Sequence, residues 1–451
     1  MASVSCGALQ NAFSAGAVDH MSELGPSPLA AGEDNLSVAQ ARAAIASRLR
    51  PIEDHETVPL AQALGRVLSA DVIATIDVPA HDNSAMDGYA FAGSALRADA
   101  AIELRSVATV MAGAPHGGSV GPGQCVRIMT GAVMPAGADT VVPLELCQLD
   151  PRGDADSVRI APGVIKVGEN RRRQGEDLTR GKAVLRKGRV LKPADLGLIA
   201  SLGIGAVPAM RRLRVALFST GDEIASLGEP LAPGRVYDSN RFSLLGALQR
   251  LGLEVIDLGL VRDNPQALQA VVQQAIEQAD VVLTSGGVSA GDADYTRTVL
   301  GKVGAVDFWK VAMRPGRPFA FGPLYAGGPL QPSKTAWLFA LPGNPVAALV
   351  TFYVFARDAL LTLAGATPEP LPVLQARCAA AIRKRPGRTE FQRAIVSRAD
   401  DGHWQVRVAG SQGAGILRSM SEANALLVLG HEQGSVAAGE PVDVWLFDGL
   451  V

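Results

Sequence analysis

Apolar residues follow two different periods along this chain, and the segment from 211 to 365 alternates between them. Short apolar runs such as "VVLTS" at 281–285 predict buried strands. Segments such as "PQALQAVVQQAIEQA" at 265–279 carry apolar residues at helical spacing and predict helices. Strands that alternate with helices are typical of a parallel sheet covered on both faces. The pattern therefore predicts a doubly wound α/β domain.

Shorter β-prone runs lie on both sides of that segment. "QCVRIMTG" at 124–131 and "DTVVPLE" at 139–145 are separated by Gly and Pro turns and predict a small β domain. "HWQVRVAG" at 403–410 and "PVDVWLF" at 441–447 predict a second β domain at the C-terminal end. "VPLAQALGRVLSADV" at 58–72 has helical spacing, so a helix is expected there.

Composition restricts the class of protein. The chain has 451 residues, of which 48% are hydrophobic and 19% charged, as expected for a globular protein of several domains. The net charge of -2 provides no broad attraction for nucleic acid or anionic membrane, so neither is expected as a partner. The four cysteines are far apart and form no CxxC pair, so we expect reduced thiols in a cytoplasmic protein.

Two features argue against secretion and against a membrane span. No Lys or Arg precedes Arg42, so the start of the chain lacks the basic flank of a secretory signal. The most apolar long stretch, at 346–365, is interrupted by Arg357 and Asp358. It therefore predicts a buried helix of a globular domain.

Two adjacent glycines follow one predicted strand, in "VVLTSGG". Gly286 and Gly287 let the backbone turn and approach a ligand, while Thr284 and Ser285 offer hydroxyl groups. Ligands of open α/β sheets bind at the carboxyl ends of the strands. The stretch matches neither the dinucleotide-binding nor the P-loop pattern, so a tight turn and a phosphate cradle are equal alternatives.

Acidic residues follow three predicted strands of the same segment. Glu223 ends "STGDE", Asp263 lies in "VRDNP", and Asp294 lies in "GDADY". Several carboxylates around one crevice would be neutralised by a hard cation such as Mg²⁺. The alternative for Asp263, which precedes Pro265, is a simple helix cap.

A cationic run and a rigid turn complete the candidate chemistry. "FWKVAMRPGRPFAFG" carries Lys310, Arg314 and Arg317, and the guanidinium group is well shaped for an oxyanion. The alternative is a solvated strand face. "LPGNP" makes a rigid turn into the apolar helix, and ordinary turn chemistry is the alternative there.

Many short motifs occur in one order: "DNSAMDGYA", "RIMTGAVMP", "GED", "FSTGDE", "YDSN", "TSGGVSAGDADY", "RPGRPFAFG", "LPGNP" and "GRTEFQR". Together they resemble the molybdopterin molybdenumtransferases of the MoeA and gephyrin E-domain type. The resemblance extends from about residue 37 to the C-terminus. The Gly-Gly loop alone would also fit the smaller molybdopterin adenylyltransferases.

The resemblance implies an activity and a set of partners. Proteins of this family insert molybdate into the dithiolene of adenylylated molybdopterin, with Mg²⁺-dependent release of AMP, and so form molybdenum cofactor. The family forms an elongated homodimer, with the active site between the α/β domain of one subunit and the "MDGY" domain of the other. Further implied partners are the molybdopterin adenylyltransferase and acceptor apo-molybdoenzymes.

The family's four-domain subunit also guides the predicted boundaries. We expect a flexible tail at 1–36, an elongated linker domain of helices and extended chain at 37–80 and 176–210, and a small β domain at 81–175. The molybdopterin-binding α/β domain is expected at 211–368 and a C-terminal β-barrel-like domain at 369–451.

Site residues follow from matching the motifs position by position. The resemblance implies seven catalytic residues, namely Asp87, Thr130, Asp177, Glu223, Asp263, Asp294 and Lys310. Three of these, Glu223, Asp263 and Asp294, are also the implied Mg²⁺ ligands. The implied substrate-binding residues are Thr220, Asp238, Ser285, Gly286, Gly287, Arg314, Arg317, Pro342, Gly343, Asn344, Pro345 and Arg393.

The chain also departs from the family pattern. Several relatives carry Ser where this chain has Ala347 and Ala414, and Lys where it has Arg314 and Arg317, so two hydroxyl donors to an oxyanion are missing. Three alternative functions remain open within the resemblance: a scaffold like gephyrin, adenylyl transfer, and handling of tungsten in place of molybdenum. Consumption of adenylylated molybdopterin, rather than its production, distinguishes insertion from adenylyl transfer.

Overall fold

The structure is a computed structural model that describes residues 35–149, 156–287, 293–327 and 333–450, without the side chains of residues 293–295. The predicted tail at 1–36 lies almost wholly outside these ranges. The described chain divides into two compact units. The first contains the described residues up to Glu56, then Gly65–Val67, and the described residues from Ala209 onward. The second contains Thr57–Leu64 and Leu68–Pro208.

A six-stranded sheet forms the centre of the first unit. Its strands lie in the spatial order Glu254–Val261, Arg214–Thr220, Val281–Ser285, Lys334–Leu341, Pro318–Ala326 and Asp307–Lys310. The first four are mutually parallel, and the last two are antiparallel to their neighbours. The predicted parallel sheet is therefore confirmed, with an antiparallel pair added at one edge.

Helices cover both faces of this sheet, which explains the continuous apolar runs of its strands. Val215 and Leu217 belong to a core on one face, while Ala216 and Phe218 belong to a second core on the other face. The first face carries the helices Val38–Arg48, Ser239–Arg250, Pro345–Thr351 and Arg357–Leu363, with a π-helical turn at Phe352–Ala356 between the last two. The second face carries Pro265–Gln278 and Ala293–Val303.

The helix Val38–Arg48 lies in the first unit, whereas the predicted linker domain included residues 37–80. Ala41 and Ile45 of this helix are buried in the same core as Val215 and Leu217. Burial of this apolar stripe against the sheet stabilises the helix where it is. The domain boundaries otherwise remain a prediction.

A closed barrel forms the C-terminal part of the first unit. Strand Thr389–Arg398 pairs with both Trp404–Val408 and Ala425–Leu429, which closes the ring. Leu374–Cys378 and Pro441–Leu446 complete its five strands. The predicted barrel-like domain is therefore confirmed. The two-residue strand Met313–Arg314 adds to Thr389–Arg398 in parallel.

The second unit contains a six-stranded sheet of its own. In spatial order its strands are Thr140–Pro143, Gly88–Phe91, Gln124–Ile128, Ile102–Val110, Ser157–Ile160 and Cys147–Leu149. Two short antiparallel pairs accompany it, Arg171–Arg172 with Asn83–Ser84 and Ala183–Leu185 with Val72–Ile73. The unit also contains the helix Pro193–Ser201.

The remaining elements are short. The chain passes from one unit to the other within the strands His55–Pro59 and Ala206–Met210. Ile224–Ala225 pairs with Val236–Tyr237. The other helical elements are Arg418–Glu422 and the 3-10 turns Leu60–Gln62, Gly93–Ala95, Leu144–Leu146 and Phe447–Gly449.

One helix prediction is wrong. The stretch 58–72 contains a strand that ends at Pro59, the 3-10 turn Leu60–Gln62 and then a turn at Gly65 with a φ of +72°. A left-handed backbone at Gly65 is incompatible with a continuous α-helix. The apolar residues at helical spacing in this stretch therefore belong to turns and short extended segments, not to a helix.

The apolar stretch at 346–365 is a buried helix, as predicted. Within the described ranges, Pro345–Leu363 is the helix with the length and composition of a membrane span, and 72% of its most apolar stretch is buried inside the protein. A core helix satisfies the same criteria of length and composition.

Leu338 tests the central sheet, because it is fully buried on a middle strand. Leu338→Ala should lower the free energy of unfolding of the first unit by about 2–5 kcal/mol, through lost burial and an unfilled cavity. Leu446→Ala is the matched control, since Leu446 is 41% exposed and should lose less than about 1 kcal/mol. Urea unfolding followed by tryptophan fluorescence measures both, and equal losses would contradict the assigned core.

Candidate functional site

Parallel pairing brings four carboxyl ends to one edge of the central sheet. Thr220 is paired with Val261, and Ser285 is paired with both Ser219 and Leu341. The Gly286 N–H donates to the Leu341 carbonyl oxygen across 3.1 Å, so the Gly-Gly turn and the "LPGNP" turn are adjacent. This edge is where open α/β sheets hold their ligands.

The two glycines are required by close packing. Gly286 has a φ of +97° and Gly287 a φ of +71°, both in the left-handed region. A Cβ on Gly286 would lie 2.4 Å from the Thr220 carbonyl oxygen, which no side chain tolerates. The structure thus shows the tight-turn alternative, while contact with a phosphate remains a prediction.

Three buried polar atoms near this edge have no hydrogen-bond partner among the described residues. They are Thr220 Oγ1, Thr284 Oγ1 and Asn240 Oδ1. Such atoms cost free energy when they stay unpaired, so a ligand that pairs with them would bind more tightly. They give this edge the character of a binding surface.

Asn240 connects two of the strand ends and was missed by the sequence analysis. Its Nδ2 donates to Ser285 Oγ and to the Gly343 carbonyl oxygen, each across 2.7 Å. The motif "YDSN" contained it, but no local pattern shows which strand ends an Asn on a helix will reach. The contact therefore needed the folded structure.

Asp238, which the resemblance implies as substrate-binding, has a structural role. Its side chain caps the helix Ser239–Arg250 by accepting from the Arg241 N–H across 3.2 Å. It also accepts from Ser219 Oγ and from Arg241 Nε, each across 2.9 Å. These bonds engage both carboxylate oxygens, so Asp238 holds the helix beside the strand end.

Two of the three implied Mg²⁺ ligands lie in neighbouring loops. The Asp263 carboxylate accepts from the Asp222 N–H, and the Asp222 carboxylate accepts from the Asp263 N–H, each across 3.2 Å. The Glu223 carboxylate lies against Gly221, because a Cβ there would be 2.6 Å from Glu223 Oε2. Asp294 is on the helix Ala293–Val303, but its side chain lies outside the described residues.

The donor chemistry of these loops fits Mg²⁺. Carboxylate oxygens are the hard ligands that Mg²⁺ prefers, and it commonly takes one or two of them together with phosphate oxygens. Among the residues whose side chains are described, no group of three His, Cys, Asp or Glu could hold a metal ion. The described loops therefore offer Mg²⁺ two carboxylate ligands, those of Glu223 and Asp263.

A cavity of about 420 Å³ lies between the "RPGRP" and "LPGNP" turns and the barrel. Among the residues that the structure describes, its lining includes three arginines and no acidic residue. The turn Pro342–Asn344 borders it and also adjoins Gly286, since a Cβ on Gly343 would be 3.8 Å from Gly286 Cα. The lining that bears on its chemistry is Arg314, Arg317, Arg388, Gly316, Pro342, Gly343, Asn344, Ala347, Gln412 and Ala414.

The predicted cationic run is divided by the fold. Arg314 and Arg317 line the cavity, whereas Lys310 ends an antiparallel edge strand, is exposed and is not part of the lining. Arg317 Nη2 donates to Asn35 Oδ1 across 3.0 Å. The two positions at which the chain lacks a family serine, Ala347 and Ala414, both line this cavity.

Gly316, in the lining of the cavity, packs closely against Thr351. Its φ is +94°, and a Cβ there would lie 2.3 Å from Thr351 Oγ1. Thr351 is fully buried, and its hydroxyl has no hydrogen-bond partner in the described part of the chain. Glycine at this position therefore sets the path of the two flanking arginines.

Arg393 lies behind the cavity, not in its lining. Its side chain is 1% exposed and donates to Ser419 Oγ and to the carbonyl oxygens of Ser411 and Gly413, each across 3.0 Å. Burial, together with the nearby charge of Arg314, lowers the pKa of Arg393 to about 10. Arg393 holds the loop that carries Gln412 and Ala414 in place.

In the second unit, two predicted residues are brought together. The Asp87 Oδ1 atom accepts from both the backbone N–H and the hydroxyl of Thr130, each across 2.7 Å. These bonds, the backbone one foremost, hold the pKa of Asp87 below its ordinary value. Asp177 donates its backbone N–H to the Val78 carbonyl oxygen across 3.0 Å.

Family models match most of the described chain. The MoeA N-terminal region (domain I and II) matches residues 36–203, a probable molybdopterin binding domain matches 216–362, and the MoeA C-terminal region (domain IV) matches 375–447. A molybdopterin molybdenumtransferase from Haemophilus influenzae is 40% identical, with 92% of this chain and 100% of the relative covered. The chain belongs to the MoeA family.

Other members of the MoeA family support the assignment. Molybdopterin molybdenumtransferase 2 from Mycobacterium tuberculosis is 38% identical, covering 88% of this chain and 95% of the relative. The structure of a molybdopterin biosynthesis MoeA protein from Pyrococcus horikoshii superposes with a TM-score of 0.76 at 27% identity, covering 92% of this chain and 100% of that one. The family resemblance inferred from the motifs is therefore confirmed.

For this MoeA-family chain, Gly316 offers a matched test of the cavity wall. Gly316→Ala combines a strained φ with a clash, whereas Gly387→Ala has the same φ of +94° with nothing within 4 Å of its Cβ. We expect Gly387→Ala to cost about 1–2 kcal/mol and Gly316→Ala distinctly more, since the buried side chain of Thr351 must also shift. Denaturant unfolding measures both, and equal losses would contradict the packing of Gly316 on Thr351.

The Thr130 hydroxyl should depress the pKa of Asp87 measurably. Because that pKa lies below its ordinary value, the two hydrogen bonds stabilise the folded state at pH above the ordinary value, and this contribution is lost as pH falls through the depressed pKa. Thr130→Val removes one bond, so the pKa should rise in a carbon-13 NMR titration. Thr109→Val, an exposed residue of the same unit, should leave it unchanged; no rise in Thr130→Val would disprove the hydroxyl's role.

Proposed function

We propose that this protein inserts molybdenum into molybdopterin to form molybdenum cofactor. One observation carries the proposal: the turn Pro342–Asn344 borders both the Gly-Gly edge of the α/β sheet and a cavity lined by three arginines. A ligand at the sheet edge and an oxyanion in the cavity would therefore be neighbours. That is the arrangement that transfer of molybdate to a bound pterin requires.

In finer terms, we propose molybdate and adenylylated molybdopterin as the substrates and AMP as the leaving group. Thr220 Oγ1, Thr284 Oγ1 and Asn240 Oδ1, which have no hydrogen-bond partner among the described residues, support a pterin-nucleotide at the sheet edge. The two glycine turns support it as well. The Arg314 and Arg317 guanidiniums support molybdate in the cavity, since they suit a tetrahedral oxyanion. Their charge would reduce the repulsion between the oxyanion and the phosphoanhydride.

We propose Mg²⁺ as the resident cation, held by Glu223 and Asp263, with Asp294 as the third candidate ligand. When bound there, Mg²⁺ would neutralise charge on the phosphate oxygens of the nucleotide. The chain's own part is to hold the two carboxylates at the strand ends. The reciprocal bonds between Asp222 and Asp263 do this for one of them.

Other roles are proposed on the family resemblance. Asp87, Thr130 and Asp177 are proposed as catalytic residues of the second unit, and Lys310 as a cation for phosphate or molybdate. We also propose a cytoplasmic homodimer. Exposed apolar side chains at Leu227, Leu231, Val236, Tyr237 and Phe242 support an association surface in the first unit.

Purified protein incubated with adenylylated molybdopterin, Mg²⁺ and molybdate provides the test. We expect AMP release that depends on molybdate, together with reconstitution of an apo-molybdoenzyme. Asp263→Asn keeps an oxygen acceptor for the Asp222 N–H but removes the charge, so turnover should fall on the order of 100-fold. Asp400→Asn, at an exposed loop residue, is the matched control and should keep full activity.

Three results would contradict the proposal. Tight pterin binding without turnover would indicate a scaffold or carrier. Production of adenylylated molybdopterin in place of its consumption would indicate adenylyl transfer. Reconstitution with tungstate but not with molybdate would indicate a tungsten enzyme.

A further inference from the structure

We propose that Glu33 and Asp34 are an intramolecular competitor of the oxyanion, because their carboxylates pair with Arg317 when no anion is bound there. The inference rests on the proposed function, which places molybdate beside Arg317. The two carboxylates bind no substrate, and their effect is to lower the affinity of the cavity for an anion. Neither residue was implied by motif matching, and the matched family region begins at residue 36.

The first described residues are fixed beside the segment that leads into the "RPGRP" turn. Leu36 is fully buried and forms a parallel bridge with Val311. Its N–H donates to the Lys310 carbonyl oxygen across 2.9 Å, and the Ala312 N–H donates to the Leu36 carbonyl oxygen across 2.7 Å. These backbone bonds therefore set the point from which the preceding residues extend.

Asn35 already occupies one donor of a cavity arginine. Arg317 Nη2 donates to Asn35 Oδ1 across 3.0 Å. Arg317 belongs to the lining of the cavity, whereas Asn35 does not, so this bond connects the cavity to the chain outside it. A side-chain oxygen from the start of the chain thus takes an N–H that an oxyanion in the cavity would also use.

Covalent geometry keeps two carboxylates close to this bond. Asp34 is joined directly to Asn35, and Glu33 is one residue further along the chain. Both Cα atoms must therefore lie within roughly 8 Å of the Asn35 Cα atom. This limit follows from chain connectivity alone, since both residues lie outside the described ranges. A carboxylate on so short a tether is present at an effective concentration on the order of millimolar, so it competes with a more dilute free anion.

Charge complementarity favours the pairing. Residues 1–34 contain four acidic residues and no Lys or Arg. The described lining of the cavity has the opposite character, with three arginines and no Asp or Glu. Carboxylates share with molybdate the negative charge and the oxygen acceptors that a guanidinium recognises. The two carboxylates and the oxyanion therefore require the same donors of Arg317.

Isothermal titration calorimetry with molybdate, on the 451-residue chain, tests the inference. The double variant Glu33→Gln with Asp34→Asn removes both charges and nearly keeps the side-chain shapes. Because Arg317 is exposed, its ion pairs are weak, so molybdate binding should become about threefold to tenfold tighter. The matched control, Asp19→Asn with Glu23→Gln, removes the same charge further from Asn35 along the chain. It should change the affinity less than about twofold.

A second background shows whether the carboxylates act through Arg317. In Arg317→Gln, the same double neutralisation should tighten molybdate binding less than about twofold, because the cation that pairs with the carboxylates is gone. An undiminished gain in this background would overturn the inference.

The other outcomes separate this inference from the proposed function. Equal tightening by the double variant and its control would overturn the competitor and leave a general charge effect. Unchanged affinity in the double variant, with measurable binding by the unsubstituted protein, would overturn the competitor alone and leave the proposed function standing. Binding by the double variant but not by the unsubstituted protein would support the inference. Absence of binding in both would overturn the competitor and the proposed function together. Unfolding curves of each variant ensure that a folded protein is compared.

Discussion

The contact between the backbone of Gly286 and the backbone of Thr220 is the constraint on which the candidate site depends. A Cβ at Gly286 would lie 2.4 Å from the Thr220 carbonyl oxygen, so the turn after one strand can pack on the end of its neighbour only without a side chain. This packing lets the Gly286 N–H reach the Leu341 carbonyl oxygen. The loops that follow three of the strand ends are thereby packed together at the edge that parallel pairing creates.

A second close-packed turn connects the ligand-binding edge of the sheet with the arginine-lined cavity. The turn Pro342–Asn344 is anchored to the sheet edge by Asn240 and forms part of the wall of the arginine cavity. On the barrel side, Arg393 behind the cavity and Gln412 in its lining hold the barrel loop in place through hydrogen bonds. Buried residues that are far apart in sequence therefore position a cavity whose own charged groups stay accessible to a ligand.

Sequence reasoning succeeded where the signal is local and failed where it is not. The helix at Pro265–Gln278 and the strand Val281–Ser285 follow from their periodicity and their flanking Pro and polar residues. The same reasoning placed a helix at 58–72, because periodicity does not reveal that Gly65 adopts a left-handed backbone. It also grouped Lys310 with Arg314 and Arg317, although Lys310, at the end of the antiparallel edge strand, is not part of the cavity lining.

By itself the sequence determined the fold class, the order of the domains' motifs and the family, since apolar periodicity and short motifs are properties of neighbouring residues. Tertiary structure alone decided which polar groups meet. Asn240 bonds to Gly343, which is 103 residues away, and Arg388 joins the cavity through a ladder between two distant segments. The physical reason is that strand register and close packing between distant segments select such contacts, and no local pattern of residue types encodes them.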